Sequence, residues 1–313
     1  MVLRFLVRHP DPTRNGTTCD VVTESRCAHS SASFETLPQV VVLTSDLGYA
    51  TVAAVKAADD MQMRGFTSVR GLGGPVFGLK RGSDMGLVPG PRIWPSGAFI
   101  SQTGGHGDFR LPTEQPAPPG SFSFSERIGA AVIADNADAV RQRAREQLAL
   151  GASQIKLMAE KGMYCSLRPF LVDRPSAYAE GSPNRVKQLE MFSGTDKAYA
   201  LARKFKIKTA WGTDVLFSAE NAAGQGAMLS RMVRWYTPAE ALKMATADNA
   251  NWLALSGARS PYAGTLGVVQ EGAPADLLLV DGDPIANIRL LEEPARNFRV
   301  IMKDGKIYKN LQQ

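Results

Sequence analysis

The chain has 313 residues, 44% of them hydrophobic and 21% charged, with a formal net charge of +6 and a pI near 9.3. That length and balance suit one large α/β domain, or one such domain with a small appendage. No apolar run approaches the ~20 residues that cross a bilayer. The densest basic cluster, Arg141, Arg143 and Arg145, alternates along a helix as a solvated face does, which argues against a nucleic-acid patch.

Residues 1–8 carry too short an apolar core for a signal peptide, so the expectation is a cytoplasmic protein with neither membrane nor nucleic acid as a partner. Cys19, Cys27 and Cys165 are odd in number and widely spaced, which is no disulfide framework. Cys19, Cys27 and His29 lie close in sequence but match no zinc spacing. Residues 1–44 read as irregular or poorly ordered: they are rich in Ser, Thr and Arg, contain Pro10 and Pro12, and sustain no period of 2 or 3.6.

The pattern changes at Ser45. Ser45 or Asp46 can cap a helix reaching Arg64, on which Val52, Val55, Asp59 and Met63 sample successive turns, and Gly65 then supplies a left-handed end. Residues 66–70 follow as a strand. Gly71-Leu-Gly-Gly74-Pro75 lacks the Gly-Lys-Ser/Thr ending of a phosphate loop and reads as a strand-end loop where backbone approaches closely. Residues 91–100 form a second strand leading to Ser101-Gln-Thr-Gly-Gly-His-Gly-Asp108. His106, between two glycines, is free to project into a cleft as a donor, relay or ligand, or to sit idle on the surface. Residues 112–119 are proline-rich and read as an exposed excursion.

Asp135 begins a helix with Val140, Ala144 and Leu148 at a spacing of four; Gly151 stops it, and residues 153–158 are a strand. Lys156 then stands among apolar neighbours. Either it is buried and needs a partner or a chemical task, or it faces solvent. A third unit follows. Ala198, Leu201, Ala202 and Phe205 keep helical spacing, and residues 205–214 read as a buried strand that presents Asp214 at its C-terminal end, where a parallel barrel carries its chemistry. Thr237-Pro-Ala-Glu240 is a capping box opening a helix through Leu242, Ala245, Trp252 and Leu253. The chain then turns to β at residues 275–280 and 298–302, with an Asp304-Gly305 hairpin turn into residues 306–308.

Helix followed by strand, three times over, argues a parallel α/β architecture. Gly65-Phe-Thr-Ser-Val-Arg-Gly-Leu-Gly-Gly74, Ser96-Gly-Ala-Phe-Ile-Ser-Gln-Thr-Gly-Gly-His-Gly-Asp108, Gly151-Ala-Ser-Gln-Ile-Lys156, Gly212-Thr-Asp214 and Gly272-Ala-Pro-Ala-Asp-Leu-Leu-Leu-Val-Asp-Gly282 occur in the order of signatures of the amidohydrolase superfamily. Over residues 45–310 the chain resembles its imidazolonepropionase-like branch, which includes Xaa-Pro dipeptidases and carboxypeptidases acting on N-acyl amino acids.

The resemblance implies a (β/α)8 TIM-barrel and hydrolysis of amide or peptide bonds in a dipeptide or other small molecule. It also implies two divalent metal ions, usually zinc, held by a His-x-His pair, a carboxylated lysine, two later histidines and an aspartate. Lys156 matches the bridging lysine. Asp214 matches the aspartate, which in the family also acts as general base, and His106 matches a loop histidine near the substrate. The chain departs from this pattern, because its histidines are His9, His29 and His106 alone. The 58 positions from Lys156 to Asp214 are also too few for four strand-to-strand steps at ~30 residues each. The expectation is an incomplete barrel derivative over residues 45–260 with a small β appendage over 261–313. Such a chain would be a metal-dependent hydrolase that is weak or inactive, or else a non-catalytic relative that binds a ligand or self-associates through open sheet edges.

Overall fold

The computed structural model describes residues 21–24, 26–29, 34–115, 121–158 and 178–311. The chain begins with β1 (Val21–Glu24), β2 (Arg26–His29), α1 (Gln39–Val42), α2 (Leu47–Met63), β3 (Phe66–Gly71), α3 (Val76–Asp84), β4 (Arg92–Pro95) and β5 (Phe99–Ser101). It continues through α4 (Phe124–Arg127), β6 (Ala131–Ile133), α5 (Ala137–Ala149) and α6 (Pro183–Lys204). The last part holds α7 (Ala219–Ala223), α8 (Gln225–Ser230), α9 (Pro238–Lys243), α10 (Asn249–Ala254), β7 (Leu277–Val280), α11 (Pro294–Asn297), β8 (Phe298–Lys303) and β9 (Lys306–Asn310), with a π turn, Met244–Asp248, between α9 and α10.

A parallel layer carries the site. β2, β3 and β4 pair in parallel in that order, with Ser68 opposite Arg92 and Arg70 opposite Trp94. The chain then kinks at Gly97, whose φ is 68°, and continues as β5, which pairs in parallel with β6. A Cβ at Gly97 would lie 2.1 Å from Gln147 Oε1, the atom that accepts the Ala98 N–H at 2.9 Å, so only glycine fits this kink. On the other edge of β5, the Ile100 N–H donates to Lys156 O and the Met158 N–H to Ile100 O, both at 2.9 Å.

Helices cover one face of this layer for reasons visible in their sequences. Asp46 caps α2 by accepting the Tyr49 N–H at 3.0 Å, and α2 buries Ala50, Ala54, Ala57, Ala58 and Met61. Small side chains let it lie close against Val69 and Ile93, together with Val76 and Leu79 of α3. The expected stripe through Val52 is not the buried one, since Val52 is exposed. Asn136, and not Asp135, caps α5, whose Ala139, Val140 and Ala144 pack on Ala98, Ile100 and Val132.

The opposite face carries Phe66, Ser68 and Arg70 of β3 and Arg92 and Trp94 of β4, because strand residues alternate and the register aligns these two sets. Phe66 stacks on Trp211, with ring centroids 6.1 Å apart, and Trp94 packs on Ala250 and Leu253 of α10. The fold is mixed α/β, and the described residues form no closed barrel.

The second layer is an antiparallel sheet in the order β1-β7-β8-β9. The Asp304-Gly305 turn has φ values of 52° and 75°, as a tight hairpin requires. Buried Arg92 ties the two layers together by donating to the carboxylates of Asp276 and Asp304. Burial raises the Asp276 carboxyl pKa, but hydrogen bonding and attraction from Arg92 outweigh it, so the group ends below its usual range.

Four expectations are corrected here. Residues 21–24 and 26–29 are not irregular: β1 and β2 form because β7 and β3 supply partners far along the chain, a tertiary effect that local periodicity does not carry. The β appendage is consequently not C-terminal alone, since β1 belongs to it. Residues 205–214 do not make a strand. Phe205 and Ile207 are exposed, Lys206 takes φ 50°, and burial begins only at Thr209. Likewise the strand expected at 153–158 shrinks to one parallel bridge, between Ile100 and Leu157.

Candidate active site around Asp214

Asp214 lies in a loop fixed at both ends. Upstream, the Trp211 N–H donates to Asn249 Oδ1 at 2.9 Å and Asn249 Nδ2 donates to Trp211 O at 2.7 Å. Thr213 is fully buried, and its hydroxyl accepts from Gln225 Nε2 at 3.3 Å. Downstream, the Phe217 N–H donates to Phe34 O at 2.9 Å and the Ser218 N–H to Glu35 O at 3.0 Å. Between these anchors, Asp214 and Phe217 have φ values of 45° and 59°. Left-handed backbone costs a non-glycine residue about 1–2 kcal/mol, and such strain collects at functional sites.

Arg70, near the C-terminal end of β3, faces Asp214 electrostatically. It is buried, with its guanidinium 4.9 Å from the centroid of the Trp252 ring. Burial pushes its pKa down to about 10, and attraction to Asp214 offsets part of that shift. The β2–β3 register sets His29 opposite Arg70. Sequence reasoning missed Arg70: Thr67 and Ser68 precede it in β3, so the strand lacks the apolar surroundings that singled out Lys156. Asn249 gave no comparable signal, being a polar residue within a helical run.

Of the other two expected residues, Lys156 lies beside Ile100 of β5 and His106 on the loop that follows β5. Lys156 is half-buried and shares a side of its segment with Met158, which packs on Leu72, Phe99 and Ala131. His106 is exposed. Its loop is held by Asp108, which accepts from the Gly104 N–H at 2.8 Å and from Arg110 at 2.8 and 2.6 Å. Asp135 accepts from Thr103 on the same loop at 2.7 and 2.8 Å. Phe109 packs against the cluster containing Phe99 and meets Phe217 edge-on at 6.4 Å, so the loops of His106 and Asp214 touch through their phenylalanines.

The two-metal centre implied by the resemblance does not fit the described residues. Among them, no three His, Cys, Asp or Glu side chains gather, and Lys156 with Asp214 make two candidate donors where a catalytic zinc takes three protein ligands. His9 lies outside the described residues. A cavity of about 790 Å³ opens beside Thr209, Tyr236, Lys243, Asp248 and Trp252; Asp214 does not line it.

No family model matches the chain. It is 26% identical over 327 residues to ochratoxinase from Aspergillus niger, a match covering 78% of this chain and 66% of that protein. The chain thus spans just under two thirds of this curated relative. Among solved structures, a prolidase complexed with N-methylphosphonate-L-proline superposes with a TM-score of 0.78 at 23% identity, over 97% of this chain and 90% of the other. The chain therefore shares the fold of that prolidase. A structure described as an amidohydrolase gives a TM-score of 0.77 at 23% identity, over 98% of this chain and 91% of that one. These neighbours match in fold the resemblance to the dipeptidase-like branch of the amidohydrolase superfamily. No helix among the described residues is long and apolar enough to cross a membrane.

Proposed function

We propose that the chain is an amide-bond hydrolase acting on a dipeptide such as Xaa-Pro or on an N-acyl amino acid, with Asp214 as general base. The observation that carries this reading is a carboxylate on a doubly anchored, strained loop, in a fold shared with a prolidase and an ochratoxinase. Asp214 removes a proton from water as the water oxygen bonds to the amide carbon. The proton then goes to the leaving nitrogen as the C–N bond breaks. Arg70 supplies fixed positive charge beside the carboxylate, and Lys156 adds a second cation on the strand-end side. The donors among the described residues do not fit a metal. With the carbonyl then weakly polarised, turnover is slow.

The sparse donor set favours a second reading, in which the chain binds the same small molecules without cleaving them. Purified protein assayed against Xaa-Pro dipeptides and N-acyl amino acids, with and without added zinc and beside Asp214→Asn, separates the two. Slow turnover abolished by the substitution supports hydrolysis. Saturable binding without turnover supports the second reading, and near-stoichiometric zinc with fast turnover overturns both.

A further inference from the structure

The loop bearing Asp214 is held by a buried polar cluster that none of the chemistry above uses. Glu35 and Gln225 are both completely buried. Gln225 Nε2 donates to Glu35 Oε1 and to Thr213 Oγ1. Arg64 donates through Nε to Gln225 Oε1 at 2.9 Å and through a terminal nitrogen to Glu35 Oε2 at 3.1 Å. The backbone of the same glutamate takes the Ser218 N–H. One residue therefore grips both ends of the 213–218 loop: the upstream end through Gln225 and Thr213, the downstream end through its own carbonyl.

A buried carboxylate is costly unless paired and hydrogen-bonded. Here Arg64 and Gln225 supply the pairing, and the geometry so fixed is the one in which Asp214 and Phe217 are left-handed. Two strained residues in one short loop persist only where the surroundings over-determine them. We infer that Glu35 is a positioning residue for Asp214, acting through Gln225 and Thr213 to hold the carboxylate in a backbone conformation it would otherwise leave. This rests on the reading of Asp214 as general base, but the clamp itself can be measured without any turnover.

The test compares Glu35→Ala and Glu35→Gln in the full chain. The alanine variant keeps the backbone carbonyl and loses the carboxylate; the glutamine variant keeps one side-chain acceptor for Gln225 or Arg64. In hydrogen–deuterium exchange, Glu35→Ala is expected to speed exchange in residues 213–218 by about tenfold or more while β3 and the β7–β9 strands stay as in the parent, with Glu35→Gln intermediate. Where hydrolysis is measurable, kcat falls about tenfold with KM within about twofold, and Glu35→Gln recovers most of the loss. Unchanged exchange in the loop overturns the inference, as does an equal rise everywhere, which means Glu35 supports only global stability. If the parent protein hydrolyses nothing, the hydrolase reading fails while the exchange pattern still decides the clamp. Should Glu35→Ala not fold, Glu35→Gln decides alone: faster exchange confined to 213–218 upholds the inference, and anything else removes it.

Discussion

The side chain of Asn249 stands in for a neighbouring strand at Trp211, accepting the Trp211 N–H at 2.9 Å and donating to its carbonyl at 2.7 Å. Both residues are buried, so neither backbone group can turn to water when the amide is removed. Asn249→Ala should lower unfolding stability by about 2–3 kcal/mol, the cost of stranding buried backbone polar groups. Asn249→Asp keeps the acceptor and loses the donor, and should also destabilise. Urea unfolding monitored by tryptophan fluorescence reads both. A loss below about 0.5 kcal/mol for the alanine variant would mean that the contact is dispensable.

The His106 loop should weaken in acid. Hydrogen bonds from Arg110, then from the Gly104 and Arg110 backbone, hold the Asp108 carboxyl down at about 2 against burial, which opposes them; the ordinary value is 3.8. Because the folded value lies below the unfolded one, the contribution of Asp108 is complete above the unfolded value and is lost as pH falls through the folded one. The stability difference between the parent and Asp108→Asn should therefore be constant above about pH 5 and shrink steadily from about pH 4 to pH 2. Unfolding midpoints of the two proteins at matched pH test this, and parallel curves across that window would count against it.

Much of the local structure could be read from residues. The cap at Asp46, the end of α2 at Gly65, the capping box of Thr237 and Glu240 and the Asp304-Gly305 hairpin all appear where the sequence places them, since each is decided by one or two side chains acting on adjacent backbone. What failed depended on distance. β1 and β2 exist through partners some 255 and 40 positions further on, and the run ending at Asp214 is shaped by Asn249, Gln225 and Glu35. Helical spacing also misread α2, where alanine outweighs valine because close approach to the sheet matters more than side-chain bulk. At the site, Asp214 was legible as a lone carboxylate after an apolar run. Arg70 was not, because it follows polar Thr67 and Ser68 in β3 and meets Trp252 only through tertiary packing.

Gln62 offers a way to strengthen the fold. It is fully buried on α2, and neither its Nε2 nor its Oε1 has a hydrogen-bond partner among the described residues. An amide desolvated without compensation costs about 1–3 kcal/mol, whereas methionine fills nearly the same length with an adaptable apolar chain. Gln62→Met should raise stability by about 1–2 kcal/mol, seen as a higher urea midpoint with an unchanged slope. A lower midpoint would show that the amide is satisfied in solution.

The strain at Asp214 can be separated from its chemistry by pairing two substitutions that both remove the carboxylate. At φ 45°, glycine is at ease and alanine is not, so Asp214→Gly should exceed Asp214→Ala in stability by about 1 kcal/mol. That difference survives even though glycine gives the unfolded chain more freedom, because the left-handed penalty falls on alanine in the folded state. Both variants should abolish any hydrolysis of Xaa-Pro dipeptides or N-acyl amino acids to the same extent. If alanine proved the more stable of the two, the loop would relax out of its left-handed conformation once the carboxylate is gone. The Glu35–Gln225 anchor would then not be enough by itself to keep the backbone of Asp214 left-handed.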